Sequence, residues 1–279
     1  MYKLLKKTVL TENVIEYVFY APKVAASGKP GQFVLFRIDE LGERIPITIC
    51  DTDQKKGTIT LLIQLVGATT QKLAQINVGE SIMDIAGPLG KATDLHTASN
   101  ILLVAGGIGV AVLYPQAKLL KSQGKKVICV MGARKLSLLA YLNKMKSVCD
   151  EVIVMTDDGS YGRKGLVTDA VDELISIEKR AFDVVFAVGP IRMMHAVCNV
   201  TKKSNTHTIV SMNPIMIDGT GMCGGCRLTV GGSIKYACVD GPEFDGHMVD
   251  FDEIDNRSRY FEDIEREHVC RLTGGKKNG

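Results

Sequence analysis

Asp218-Gly-Thr-Gly-Met-Cys223-Gly-Gly-Cys226, followed after eleven residues by Cys238, constrains this chain more than any other stretch of it. A plant-type [2Fe–2S] centre is held by cysteines spaced C-x4-C-x2-C…C, and here that spacing is kept with an aspartate in the first cysteine's place. Asp218, Cys223, Cys226 and Cys238 are therefore candidate ligands of an iron–sulfur cluster. Glycines at 219, 221, 224 and 225 suit a loop that aims N–H groups at sulfur, because glycine reaches positive φ without a steric penalty. Two other readings stand beside this one: a structural zinc held by three cysteines and an aspartate, and buried cysteines in a metal-free, Gly-rich turn. Zinc prefers paired C-x2-C elements or histidine partners, and the chain has no second C-x2-C and no neighbouring His-x3-His.

Length and composition set broader limits. With 279 residues, 46% hydrophobic and 23% charged, the chain suits about two core-bearing domains plus a small module. No window approaches the roughly 18 to 20 apolar residues of a membrane span, and MYKLLKKTVLTENV has only a short apolar run, so a soluble, cytoplasmic protein without a membrane partner is expected. Net charge is +3 with dispersed basic residues; the Lys276-Lys277 pair reads as a solvated tail, and no nucleic-acid partner is expected. Cys50, Cys129, Cys149, Cys198 and Cys270 lie far apart and read as small buried hydrophobes in a reducing compartment.

The pattern changes along the chain. Residues 1–98 are strand-rich, with runs at Tyr2 to Leu10, Val14 to Ala21, Gln32 to Ile38, Ile45 to Asp51, Thr58 to Val66 and Ser81 to Ala86, plus one helical insertion at Thr69 to Ile76. This predicts an antiparallel β-barrel. From residue 99 to 210 the rhythm is strand, glycine turn, helix. Ile101 to Ala105, Val127 to Met131, Val152 to Thr156 and Val184 to Val188 suit strands buried on both faces, which predicts a doubly wound α/β domain on a parallel sheet. Residues 211–279 carry the cysteine loop, a hairpin-like Cys226 to Cys238 segment and a charged tail, and are expected to form a small C-terminal module.

Candidate binding residues sit at the turns. Gly106, Gly107 and Gly109 lie between a buried strand and a helix, where a pyrophosphate can approach backbone N–H groups; close strand–helix packing would also select glycine there. Further turns after the next strands hold Arg134, then Asp157 and Asp158, then Gly189, Pro190, Met193 and Met194. All stand at the carboxyl ends of parallel strands, where open α/β sheets bind ligands. Each has a plain alternative: a solvated cation for Arg134, turn or cap roles for the aspartates, core packing for the methionines. In the first region, Arg44 precedes the strand-like Ile45-Pro46-Ile47-Thr48, and Gly67-Ala68-Thr69-Thr70 opens the helical insertion. An arginine there suits a phosphate, and free helix-start N–H groups suit a second; a surface arginine and a helix cap are the alternatives.

Taken together, R-x-P-x-[ST] and G-x-[ST] elements followed by GGxG and a late GPxxMM resemble the ferredoxin–NADP reductase superfamily over residues 1 to about 205. With DGTGMCGGC…C added, the whole chain resembles the family of small, alpha subunits of NADH-dependent reduced ferredoxin:NADP oxidoreductase, also known as sulfide dehydrogenase subunits. A second similar family, the electron-transfer subunits of dihydroorotate dehydrogenase, has four cysteines at its cluster, so the aspartate favours the first. The resemblance implies that Arg44 and the Gly67–Thr70 turn hold the FAD phosphates, that Pro46, Ile47 and Thr48 line the isoalloxazine, and that Gly106 to Gly109 hold NAD(H) or NADP(H). Ile47 stands where the wider superfamily has an aromatic, so aliphatic flavin packing is expected.

The expected function is an electron relay between NAD(P)H, FAD and a [2Fe–2S] cluster, delivered to or from a larger flavin and iron–sulfur subunit in a heterodimer, with ferredoxin as a further possible partner. No acid–base constellation is expected, since His96, His195, His207, His247 and His268 are scattered. A dihydroorotate dehydrogenase accessory subunit and a non-catalytic redox sensor are the competing readings. Asp157 and Asp158 favour a ribose diol whereas Arg134 suits a 2′-phosphate, which leaves the nicotinamide nucleotide open.

Overall fold

The structure is a computed structural model and describes residues 1–95 and 97–258; the expectations for His96, His268 and Cys270 lie outside the described residues. The N-terminal part contains β1 (Tyr2–Val9), β2 (Val14–Tyr20), α1 (Pro22–Ser27), β3 (Phe33–Arg37), β4 (Ile45–Thr48), β5 (Asp51–Asp53), β6 (Thr58–Gln64), α2 (Ala68–Leu73), β7 (Ser81–Ile82) and β8 (Asp84–Leu89). Its strands form two antiparallel sheets, β5-β6-β2-β1-β7 and β4-β3-β8, closed over one core. Alternation supplies that core: Ile15, Tyr17 and Phe19 from β2, Val34 and Phe36 from β3, and Ile59, Leu61 and Ile63 from β6. The expected strand Ile45 to Asp51 is two strands. β4 pairs with β3 and β5 with β6, so the chain changes sheet at the buried Ile49-Cys50 corner. The short helix α1 was not anticipated; it buries only Val24 and Ala25, too few residues for a helical period to show.

The second part contains β9 (Asn100–Gly106), α3 (Val110–Ser122), β10 (Lys126–Ala133), α4 (Leu142–Val148), β11 (Glu151–Thr156), β12 (Arg163–Lys164), α5 (Val167–Asp172), β13 (Val184–Val188), α6 (Ile191–Lys203) and β14 (Thr208–Ser211). These strands pair in parallel in the order β12-β11-β10-β9-β13-β14. Ile101, Leu103 and Ala105 of β9 face α3 and α4, while Leu102 and Val104 face α5 and α6. A strand covered on both faces must be apolar throughout, which is why β9 reads ILLVA rather than alternating. Each of Ile101, Leu102, Leu103 and Val104 is fully buried, worth about 1.5 to 3 kcal/mol apiece. That burial makes β9 the fixed axis from which the glycine turn projects. The chain order reverses at β9, with β10 on one side and β13 on the other, so the turn after β9 lies at the topological switch point.

The remaining elements are β15 (Arg227–Val230), β16 (Ser233–Tyr236), β17 (Glu243–Asp245) and α7 (Phe251–Ser258). β15 and β16 form a hairpin closed by Gly231 and Gly232, both at positive φ, as a two-residue turn of primed type requires. β17 pairs antiparallel with β14 and so completes the large sheet. The ring of Phe251 in α7 stacks on His195 of α6, with centroids 4.8 Å apart. Cys226, Leu228, Ala237 and Cys238 share one continuous core with Leu102 and Val104 of β9 and with Phe33 and Leu35 of β3. No helix among the described residues is long and apolar enough to cross a membrane.

Candidate redox centre

The loop from Asp218 to Cys226 is shaped by Gly219, Gly221 and Gly224, at φ of 72°, 85° and 67°. Gly225, expected to share this conformation, does not. Its N–H donates to the Cys223 sulfur at 3.4 Å. Cys226 and Cys238 lie side by side with sulfurs 3.2 Å apart, and both are buried. Burial, with the neighbouring Cys226 thiol beside it, raises the Cys238 thiol to about 12, so it would lose its proton only to a strongly polarising metal. Cys223 is exposed at the loop's outer side. Asp218 accepts the N–H of Thr220 at 2.9 Å on one oxygen and that of Cys223 at 2.7 Å on the other. The Thr220 N–H bond, more than any other contact, holds its carboxyl below the usual range. The four residues thus fall into an outer pair, Asp218 and Cys223, and an inner pair, Cys226 and Cys238. As they stand, no three or more of these side chains, among the described residues, are gathered closely enough to hold a metal ion; by type and number, three thiols and a carboxylate suit an iron–sulfur cluster.

The same loop is seated on the barrel. A Cβ on Gly219 would come within 2.8 Å of Leu35 and 2.7 Å of Leu89, so the backbone of the cysteine loop lies directly on the outer face of β3 and β8. Leu35 is in turn paired across the sheet with Pro46 of β4. Arg257 from α7 donates to the carbonyl of Gly225 at 3.0 Å and clamps the loop from the other side.

At the barrel's open edge, Arg44 is exposed and Ile45 to Thr48 are each half-buried along the edge strand β4. The Thr69 hydroxyl donates to Glu43 at 3.2 Å, bringing the start of α2 beside Arg44. Thr70 is buried, and its hydroxyl accepts from the N–H of Val66 and Gly67 while donating to the Gly67 carbonyl at 2.9 Å. That hydroxyl is spent on capping, which leaves backbone N–H groups as the donors this turn can offer. A guanidinium beside free N–H groups and a half-covered aliphatic strip fits the diphosphate and ring of a flavin.

Across the sheet, the glycines after β9 divide by role. Gly109 packs against the end of β13, where a Cβ would come within 2.0 Å of the Val188 carbonyl. Gly106 and Gly189 are pressed against Met193, with Pro190 beside Gly106, so these four form one floor. Gly107 alone is left-handed, φ 53°, with nothing within 4 Å of where a Cβ would stand. Arg134, Asp157 and Asp158 are exposed at the ends of β10 and β11. Their loops are tied by Asp157 N–H to the Ala133 carbonyl and Asp158 N–H to the Arg134 carbonyl, both at 3.2 Å. The Asp158 side chain accepts the Ser160 N–H at 2.9 Å, and that serine holds its carboxyl low. Of the histidines, His195 stacks on Phe251 and His247 meets the Thr201 hydroxyl at 3.0 Å.

A barrel, a doubly wound sheet at its edge and a cysteine loop seated on the barrel are the parts of an iron–sulfur flavoprotein that transfers electrons. Residues 1–93 match the model of the oxidoreductase FAD-binding domain, and residues 213–250 that of the iron–sulfur cluster binding domain of dihydroorotate dehydrogenase B. The chain is 44% identical over 264 residues to the dihydroorotate dehydrogenase B (NAD(+)), electron transfer subunit homolog of Thermotoga maritima, covering 95% of this chain and 93% of that one. It is 36% identical over 245 residues to the dihydroorotate dehydrogenase B (NAD(+)), electron transfer subunit of Bacillus caldolyticus, covering 85% and 92%. Among solved structures, a chain of the NADH-dependent reduced ferredoxin-NADP oxidoreductase, reported for insights into flavin-based electron bifurcation, superposes with a TM-score of 0.92 at 42% identity, covering 98% of each chain. The chain belongs to this family of flavin and iron–sulfur electron-transfer subunits, and it is an oxidoreductase subunit carrying FAD and an iron–sulfur cluster.

Leu35, Leu89 and Arg257 were not singled out in the sequence. A signal for Leu35 existed: Phe33-Val-Leu-Phe36 is unbroken apolar sequence, the mark of a strand covered on both faces.

Proposed function

We propose that this chain passes electrons between NAD(P)H, FAD and a [2Fe–2S] cluster, to or from a larger flavin and iron–sulfur subunit in a cytoplasmic heterodimer of the NADH-dependent ferredoxin:NADP oxidoreductase type. The observation that carries it is the seating of Gly219 on Leu35, whose strand partner is Pro46, because it joins the cysteine loop to the candidate flavin strand through one residue. In this reading residues 1–98 hold FAD, 99–210 hold the nicotinamide nucleotide, and 211–279 hold the cluster. When bound, the flavin exchanges a hydride with a nicotinamide and single electrons with an iron–sulfur centre.

The chain's own residues bind, orient and shield. Arg44 neutralises the FAD diphosphate, helped by the N–H groups of Thr69 and Thr70 in the turn that Gly67 opens, while Pro46, Ile47 and Thr48 cover the ring. Gly107 leaves room for the dinucleotide phosphates above the floor of Gly106, Gly189, Pro190 and Met193, while Gly109 packs the turn against β13. Arg134, Asp157 and Asp158 meet the adenosine end and discriminate NADH from NADPH. Asp218, Cys223, Cys226 and Cys238 would hold the iron–sulfur cluster. Ile217, Met222 and Val239, 57%, 89% and 45% exposed around the outer cysteine, support docking of the larger subunit over the cluster. Ferredoxin is a further partner in this reading, reached through the complex.

Anaerobic purification of the complex tests the proposal: one FAD, two iron and two sulfide per chain, flavin bleaching by NADH or NADPH, and a co-purifying flavin and iron–sulfur subunit are expected. Dihydroorotate dehydrogenase as the co-purifying subunit would support the second reading, whose subunit name two of the relatives carry. A cofactor-replete chain that neither nucleotide bleaches would support a redox sensor.

A further inference from the structure

The contact between the barrel and the nucleotide sheet holds one buried charge. Glu16 on β2 is 5% exposed, and its carboxylate accepts from three donors: the Tyr141 hydroxyl, Lys144 Nζ at 2.8 Å and Lys6 Nζ at 3.4 Å. Tyr141 and Lys144 belong to the nucleotide part, Tyr141 as the residue just before α4. Two other cross-pairs follow the same polarity, acid on the barrel and lysine on the sheet: Glu12 with Lys135 at 3.1 Å and Asp51 with Lys118 at 2.9 Å. Those are solvent-exposed pairs, which contribute little in water. Glu16 is the desolvated one.

Tyr141 connects this charge to both candidate binding sites. It shares one buried cluster with Cys50, two residues beyond Thr48 at the exit of β4. Its ring stands edge-on to Tyr114 of α3, with centroids 5.1 Å apart, and α3 is the helix that leaves the Gly107 turn. Lys144 Nζ lies 3.8 Å from the centre of the Tyr141 ring. Tyr141 itself has φ 58°, a left-handed conformation that a bulky L-residue keeps only where its surroundings over-determine it. A single side chain thus lies between the strand exit proposed to line the flavin and the helix proposed to follow the dinucleotide.

We infer that Glu16, Tyr141 and Lys144 form a positioning site that sets the angle between barrel and nucleotide sheet, and with it the approach of nicotinamide to flavin; the inference rests on the function proposed above. Apolar packing would hold two domains together equally well, but it is not directional, whereas a buried carboxylate is satisfied by its donors in one relative orientation. Hydride transfer is steep in geometry, so a small change of angle alters rate more than affinity.

The test uses the full, FAD-loaded chain in rapid mixing with whichever nicotinamide nucleotide bleaches the wild type. In Tyr141→Phe the limiting rate of bleaching should fall about ten-fold or more, with a weaker long-wavelength flavin–nicotinamide band, while half-saturation, flavin content and iron content stay within about two-fold. Glu16→Gln should match it, and the double variant should fall no further, as members of one network do. Lys144→Ala, at the exposed end, should show the same signature more weakly. Limiting rates within about two-fold of wild type in the folded variants overturn the inference, as do rate losses that track flavin content or melting temperature. If the two inner variants do not fold, a wild-type rate in Lys144→Ala overturns it, and the weaker signature there supports it. A wild-type chain that neither NADH nor NADPH bleaches removes the parent function, and the inference with it.

Discussion

Leu35 lies against Gly219, so closely that a methyl group on the glycine would stand 2.8 Å from the leucine's Cδ1. Gly219 also has φ 72°, which L side chains adopt reluctantly. Gly219→Ala should therefore lift the cysteine loop off β3 at a cost of about 1 to 2 kcal/mol. The expected outcome is a folded chain with normal flavin content, reduced iron content and slower appearance of the reduced-cluster paramagnetic signal after flavin reduction. Iron content and signal kinetics equal to wild type would remove the contact from the electron path.

Asp218 holds the loop through the Thr220 and Cys223 N–H groups and is proposed as a cluster ligand, two roles that substitution separates. A carboxylate donates less electron density than a thiolate, so Asp218→Cys should assemble a four-thiolate cluster of lower reduction potential with an altered paramagnetic signal. Asp218→Ala should lose or loosen the cluster and also leave the Thr220 and Cys223 N–H groups without their acceptor. Potentiometry showing wild-type values in both variants would reduce Asp218 to a turn residue.

Arg44→Ala removes the charge proposed to meet the FAD diphosphate, a contact worth about 1.5 to 3 kcal/mol. Flavin dissociation measured by fluorescence should then be weakened about ten-fold or more. An unchanged dissociation constant would send the diphosphate elsewhere on the barrel.

The glycine turn needs a different substitution from the one its sequence invites. Gly109 has no room for any side chain, so replacing it tests packing rather than binding. Gly107→Asn is informative, because Asn tolerates the left-handed region and the space above Gly107 is open. The apparent Michaelis constant for the nicotinamide nucleotide should rise about ten-fold, with flavin and iron unchanged.

Glu243 makes the stability of the chain depend on pH. Its carboxyl accepts the Thr93 hydroxyl at 2.5 Å, and Thr93 in turn accepts from Gln116 of α3, so barrel, sheet and C-terminal part meet there. Burial raises this carboxyl from 4.5 to about 7. A raised carboxyl favours the protonated folded state, so its contribution is greatest below about 4.5 and is lost as pH rises towards 7. Glu243→Gln should add about 2 to 3 kcal/mol of stability at pH 8 and almost nothing at pH 4. Denaturant titrations at the two pH values check this; an equal change at both would assign the effect to packing.

What the sequence determined by itself is what short spacing can encode. The D-x4-C-x2-C…C spacing, the apolar strands of the parallel sheet and the glycine turns after them are local patterns, because motif spacing and the periods of strand and helix repeat within a few residues. The tertiary structure alone decided which surfaces meet. It gave Gly109 to packing and Gly107 to open space, added β17 to the edge of the large sheet, set Leu35 on Gly219, and buried Glu16 beneath Tyr141. Residues 16 and 141, or 35 and 219, are joined by the closing of domains on one another. Nothing in the local sequence of either partner names the other, since a leucine, a glycine or a glutamate is compatible with many neighbours until the faces around it are packed.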